Sequence, residues 1–254
     1  MISFGLELEG IYNKETTDLP ERHNYHHGNF LEGTVWKAES DGSLNMEEAD
    51  YRAFGRTNAE PVELISKRLV GRDALMNALN VVKETFCGNK PLKDCIRFNK
   101  SCGTHIHFSI RGRTKARTHI KLLYGMRQEF FDKINSSTVI KKTTKAKILK
   151  HYNRSYSELM TKEDYLNKQK RGEFNFMSED SGKGLEWRSI NLFGVNKWVE
   201  LYEVMDIVYN IVKKFDRKVR KYNVVERVRL NQATQDRLAL LLDIKPVKRI
   251  KVKI

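Results

Sequence analysis

Two histidines separated by one residue stand inside the run Ser101–Ile110, SCGTHIHFSI. Successive side chains of a β-strand alternate between faces, so His105 and His107 point one way while Thr104, Ile106 and Phe108 point the other. Three more apolar, β-prone runs carry ionisable side chains. FGLELE puts Glu7 and Glu9 on one strand face, LEWRSI puts Glu186 and Arg188 on one face, and PVELIS carries Glu63. A carboxylate or imidazole on an apolar strand costs free energy to bury unless a hydrogen bond or an opposite charge compensates it. The 101–110 run by itself fits two hydrogen-bonded structural histidines as well as two ligands. Four strands bearing such groups point to a shared cation.

The donor types narrow the chemistry. Residues i and i+2 of a strand lie about 6.6 Å apart, which suits two neighbouring ions better than chelation of one. Carboxylate oxygens with an imidazole, and few soft ligands, match Mg²⁺ or Mn²⁺ better than zinc. Arg188, beside Glu186, offers a fixed positive charge for phosphate oxygens. Neither GxxxxGK[ST] nor GxGxxG is present. A bound nucleotide would therefore lie on a sheet face, held by metals and basic side chains. Cys87, Cys95 and Cys102 lack CxxC spacing, so reduced thiols and a cytoplasmic location are expected. His23, His26 and His27, in the polar stretch 12–32, read as exposed loop residues.

These residues need a scaffold, and periodicity supplies one. Strands are expected at Met1–Ile11, Thr34–Glu39, Ala59–Lys67, within Cys95–Ile110, at Gly172–Met177 and at Leu185–Leu192, with a turn at Asp41–Ser43. Apolar residues at helical spacing predict helices over Asp73–Phe86, Lys115–Ile134, Trp198–Tyr222 and Ala233–Leu242. Residues 136–169 are basic and polar, with short helical stretches at best and no strong periodicity, as a substrate lid or a surface excursion would be. The C-terminal KPVKRIKVKI reads as an edge strand or a basic arm. With 254 residues and 40% apolar content the chain can bury a full core. No signal peptide or membrane span is expected. The expected architecture is a single α+β domain over 1–254, a mostly antiparallel sheet with helices packed on one side.

The net charge of +15 is unevenly placed. Residues 111–154 carry 13 basic and 2 acidic side chains, and residues 213–254 carry 14 and 4, whereas the segments bearing the acidic and histidine runs are close to neutral. The two basic blocks read as solvated helix faces or as a surface for nucleic acid or another polyanion.

Taken together, GLELE at 5–9, CGTHIHFS at 102–109 and LEWR at 185–188 resemble the amidoligase family, which is similar to the catalytic fold of glutamine synthetase and glutamate–cysteine ligase. Asp41-Gly42-Ser43 and Glu63-Leu64-Ile65-Ser66 also match its pattern. The resemblance covers residues 1–192 and leaves the basic helical region 197–254 unmatched. It implies a glutamine synthetase-like sheet and an ATP-dependent carboxylate–amine ligase with an acyl-phosphate intermediate, using Mg²⁺ or Mn²⁺. Its substrates would be one carboxylate and one amine, as amino acid or peptide. Glu9 and Glu63 would hold the metal on the carboxylate side, and Glu7, His105 and Glu186 the metal on the ATP phosphates. His107 and Arg188 would contact phosphate oxygens. Arg171 would steady the transferred phosphoryl group, and Asp41 would orient or deprotonate the amine. Phage and bacterial accessory enzymes are a natural setting for so small a ligase. A nucleic-acid-binding or structural protein on an inactive ligase scaffold, and a metal-dependent nuclease or phosphoesterase, are the alternative readings.

Overall fold

The structure, a computed structural model, describes residues 2–23, 29–109, 120–150, 152, 174–175 and 184–241; the side chains at 120, 121, 124, 175 and 222–241 are not included. In chain order the elements are β1 (Ser3–Asn13), β2 (Arg22–His23), β3 (Trp36–Glu39), α1 (Glu48–Phe54), β4 (Ala59–Ser66), β5 (Leu69–Val70) and α2 (Gly71–Val81), which runs on as a π-helical turn, Val82–Phe86. Then follow α3 (Leu92–Cys95), β6 (Ile96–Arg97), β7 (Gly103–Ser109), α4 (Ile120–Ser136), α5 (Lys142–Lys150), β8 (Phe174–Asn175), β9 (Leu185–Asn191) and α6 (Trp198–Leu241).

The strands form one sheet in the order β2-β3-β4-β1-β7-β9-β8, with β5 and β6 paired to the ends of β1. All described pairings are antiparallel except β2 with β3. The protein is thus α+β with a mostly antiparallel, open sheet. β1 lies at the centre of the sheet, between β4 and β7. Phe4, Leu6 and Leu8 are all buried.

Register puts the apolar partners of β1 on one face. Phe4 pairs with Phe108, Leu6 with Ile106, and Leu8 with both Thr104 and Leu64. Helices cover that face. The Phe4 ring lies 5.4 Å from Tyr209 and the Phe108 ring 5.9 Å from Phe215, both on α6. Trp187 of β9 meets Phe130 of α4 edge-on at 5.8 Å, and Trp36 of β3 donates its indole N–H to the Ala78 carbonyl of α2 at 2.8 Å. The buried stripe of α4 is Leu123, Met126, Phe130 and Ile134, at spacings of three and four that keep them on one side of the helix. Each such side chain contributes about 1.5–3 kcal/mol by leaving water. The other sheet face is thereby left to the ionisable residues.

Several local expectations change. Trp198–Tyr222 and Ala233–Leu242 are not two helices. One helix, α6, spans both, since 223–232 contains no glycine or proline to stop it. The helix expected from Lys115 is described from Ile120. α1 forms where no helix is expected, while the described part of 136–169 holds a short helix, α5, as the sequence allows. α1 has only seven residues, too few for a periodic stripe, and is started by a capping box between Glu47 and Asp50. Among the described residues no helix is long and apolar enough to cross a membrane.

Candidate functional site

Backbone pairing turns four separated sequence runs into one polar field. Glu9 of β1 stands opposite Glu63 of β4, and Glu63 stands opposite Glu39 of β3. Two residues along, Glu7 stands opposite His105 of β7. At the next step His107 stands opposite Glu186 of β9. All lie on the face away from α2, α4 and α6, because their chain neighbours fill the apolar core. Glu9, Glu63 and Glu186 are nonetheless buried.

Glu7 is the hinge of this field. One of its oxygens lies 2.8 Å from His105 Nδ1 and the other 2.8 Å from His107 Nε2. His105 also reaches Glu9, with Nε2 3.6 Å from Oε1, and Glu186, with Nδ1 3.5 Å from Oε1. Arg188 Nε is 3.1 Å from Glu186 Oε1, near enough for ionic attraction but without hydrogen-bond alignment. A bulge explains that aim. Between Thr104 and Ile106 the partner strand advances three residues, from Ile190 to Trp187, so Arg188 and Ser189 together oppose His105.

Two glycines make the field possible. A Cβ on Gly103 would come within 3.1 Å of Glu9 Oε2, the oxygen that accepts the Gly103 N–H bond. Gly184 has φ +90°, and a Cβ there would stand 2.6 Å from the Phe108 carbonyl oxygen, so only glycine lets β9 enter beside β7.

The protonation pattern is that of a crowded anionic site that retains protons. Burial pushes Glu63 up, and the charges of Glu7 and Glu9 push it further, to about 9. Burial likewise raises Glu9. Burial would raise Glu7 too, but its hydrogen bonds to His105 and His107 hold it well below the usual carboxylate range. Burial opposes a charged His105, yet the Glu9 charge and the Glu7 hydrogen bond carry it up to about 10. Protonated His105 therefore serves as the internal counter-ion. Among the described residues no hydrogen bond is made to the Glu63 carboxyl.

Three groups bring their ligand atoms within 4.8 Å of one another: Glu7, Glu63 and His105; Glu7, His107 and Glu186; and Glu9, Asp41 and Glu63. The donor set is carboxylate-rich with imidazole and has no thiolate. Such a set, partly buried, fits Mg²⁺ or Mn²⁺.

Of the residues singled out from sequence, Glu7, Glu9, Asp41, Glu63, His105, His107, Glu186 and Arg188 converge on this face. Arg171, His26 and His27 lie outside the described residues. His23 is on β2, opposite Glu39. His107 groups with Glu7 and Glu186, and His105 with Glu7 and Glu63, while His105 Nδ1 also lies 3.5 Å from Glu186 Oε1. Asp41 joins Glu9 and Glu63, and its carboxylate also accepts bonds from the Ser43 N–H at 2.8 Å and hydroxyl at 2.7 Å.

Sequence reasoning missed β3 as a contributor. Lys37 and Glu39 share the polar face and are ion-paired, with Glu39 fully buried. The signal was the alternation Lys37-Ala38-Glu39-Ser40-Asp41. Of the basic blocks, residues 111–119, 151, 153–154 and 242–254 lie outside the described residues. In the described part, α5 carries Lys142, Lys145, Lys147 and Lys150, and α6 carries Lys213, Lys214, Arg217, Lys218, Arg220 and Lys221. Comparison with protein-family models, curated proteins and solved structures finds no match to this chain.

Proposed function

We propose that this chain is an ATP-dependent carboxylate–amine ligase of the amidoligase type, with a glutamine synthetase-like catalytic sheet. One observation carries the reading. Three overlapping carboxylate and imidazole groups lie side by side on one sheet face, with a guanidinium at one end. The order of the acidic and histidine strand motifs supports it. So does the open antiparallel sheet, whose opposite face is covered by helices.

Glu9, Asp41 and Glu63 would hold one divalent ion, and Glu7, His107 and Glu186 a second. The ions would neutralise phosphate charge and polarise the acid substrate. Phosphoryl transfer depends on placement and charge neutralisation more than on covalent participation by the protein. Arg188 would supply a charge that does not titrate, drawn toward Glu186 Oε1 at 3.1 Å by ionic attraction. His105 sits between the two groups and must give up its proton when cations replace it. In the reaction a carboxylate oxygen of the acid substrate attacks the γ-phosphorus of ATP, releasing ADP and leaving an acyl phosphate. The amine then displaces phosphate to form the amide.

Trapping the acyl phosphate tests this. The protein is incubated with ATP, Mg²⁺ or Mn²⁺, hydroxylamine and pools of amino acids and short peptides. Hydroxamate should form only with ATP, metal and an acid together. Absence of hydroxamate across broad pools would refute the ligase. Cleavage of nucleic acid without ATP would instead favour a metal-dependent nuclease.

A further inference from the structure

Behind the acidic cluster lies a hydrogen-bonded network of residues that none of the proposed steps uses. Asp50, in the first turn of α1, is fully buried. It accepts bonds from Arg97 Nε at 2.9 Å, from Asn99 Nδ2 at 2.7 Å and from the Glu47 N–H at 2.9 Å. Asn99 is also buried and is saturated. Its Nδ2 donates a second bond to the Asn45 carbonyl at 2.7 Å. Its Oδ1 accepts from the Ser101 N–H and hydroxyl, both at 2.8 Å, and from the Cys102 thiol at 3.3 Å. Ser101 closes the circuit: its hydroxyl oxygen accepts from the Asn45 N–H at 2.9 Å and lies 3.1 Å from the Asn45 carbonyl.

The two segments that Asn99 joins both end in the Glu9–Asp41–Glu63 group. Asn45 closes the loop that begins at Asp41. Ser101 and Cys102 lead directly into Gly103, whose N–H holds Glu9 Oε2. A further bond, from Asn191 Nδ2 to the Cys102 carbonyl at 3.0 Å, fastens the same turn to β9. The distance between the Asp41 and Glu9 carboxylates is thus set by two loops and by the one amide that bonds to both.

We propose that Asn99 is the positioning residue of the Glu9–Asp41–Glu63 group, fixing the Asp41 loop against the Gly103 turn so that the three carboxylates can close on one divalent ion. The proposal rests on the metal-binding part of the ligase reading. Outer partners that orient ligands typically matter by 10–100-fold in metal affinity. Asn99 touches no carboxylate of the group, so its effect should appear at one group only.

The test is a Mn²⁺ titration of the full chain, with free Mn²⁺ followed by electron paramagnetic resonance. Wild type should show two classes of site, and Glu186→Gln should weaken the class belonging to Glu7, His107 and Glu186. Asn99→Ala should weaken the other class by about tenfold or more and leave the Glu186-dependent class within about twofold. Ser101→Ala removes the half-buried hydroxyl that joins Asn99 to Asn45 and should weaken the same class by about threefold. It also decides the matter if Asn99→Ala does not fold. Equal binding in wild type and both variants, or equal weakening of both classes, overturns the proposal. A wild type that binds no Mn²⁺ overturns it together with the metal sites. The hydroxamate assay reports on the ligase separately.

Discussion

Glu63→Gln should make the metal-free protein more stable, and the size of the gain follows from the site. Glu63 has an ordinary value near 4.5 when unfolded and about 9 when folded. Between those values the unfolded chain ionises it while the folded chain keeps the proton. Stability therefore falls as pH rises above 4.5 and levels off near 9, by about 1.4 kcal/mol per pH unit. At pH 7.5 the gap of three units gives an upper bound of about 4 kcal/mol. Glu9 competes for the same proton, which brings the expected penalty to about 2 kcal/mol. Glutamine keeps the shape and cannot ionise.

Metal-free Glu63→Gln should thus melt about 4–8 °C above wild type at pH 7.5, and at nearly the same temperature at pH 4.5. A saturating divalent ion reverses the ranking. At one hundred times its dissociation constant for the Glu9–Asp41–Glu63 group it stabilises wild type by about 2.7 kcal/mol more than the variant, which keeps only the Glu7–His107–Glu186 group. Calorimetric or fluorescence melting with chelator and with Mn²⁺, at both pH values, reads all four numbers. A variant less stable than wild type in chelator at pH 7.5, or a wild type indifferent to Mn²⁺, would refute the reasoning.

Metal uptake should release protons. His105 and Glu63 are both held protonated at neutral pH, with values of about 10 and 9, and a cation must displace what they carry. Calorimetry at pH 7.5 in buffers of different ionisation enthalpy should show release of about one to two protons per chain, and apparent affinity should rise with pH; no release would mean that the ion binds elsewhere. Glu9→Ala and Arg188→Ala should each lower hydroxamate formation by at least about a hundredfold while the circular dichroism spectrum stays that of wild type, because both contribute charge at the site and neither fills the core. Leu8→Ala, on the opposite face of β1, should cost about 2–5 kcal/mol in urea unfolding without changing the number of Mn²⁺ sites. Loss of the sites at matched folding would show that the two faces of β1 are not separable.

Much of the site was legible because strand geometry is a local rule. A period of two is enough to place Glu7 with Glu9, and His105 with His107, before any partner strand is known. The same rule put Leu6, Leu8, Ile106 and Trp187 into the core. Helices α2 and α4 were legible for the corresponding reason at a period near 3.6. α1 was not, since a seven-residue helix held by its cap and by buried Asp50 leaves no periodic trace. Lys37 and Glu39 alternate as clearly as Glu7 and Glu9, but nothing local marks β3 as the strand that lies beside β4.

The sequence alone determined which side chains share a face within each strand, and that one face of each is apolar. Only the tertiary structure decided which faces meet. Register placed Glu63 opposite Glu9, a bulge aimed Arg188, and two loops brought Asp41 in as a third carboxylate. Pairing joins residues as far apart as Glu7 and His105 through backbone groups that every residue carries, so no side-chain pattern within either strand can encode it. Burial of the apolar face chooses the register, and the polar face takes the arrangement that results.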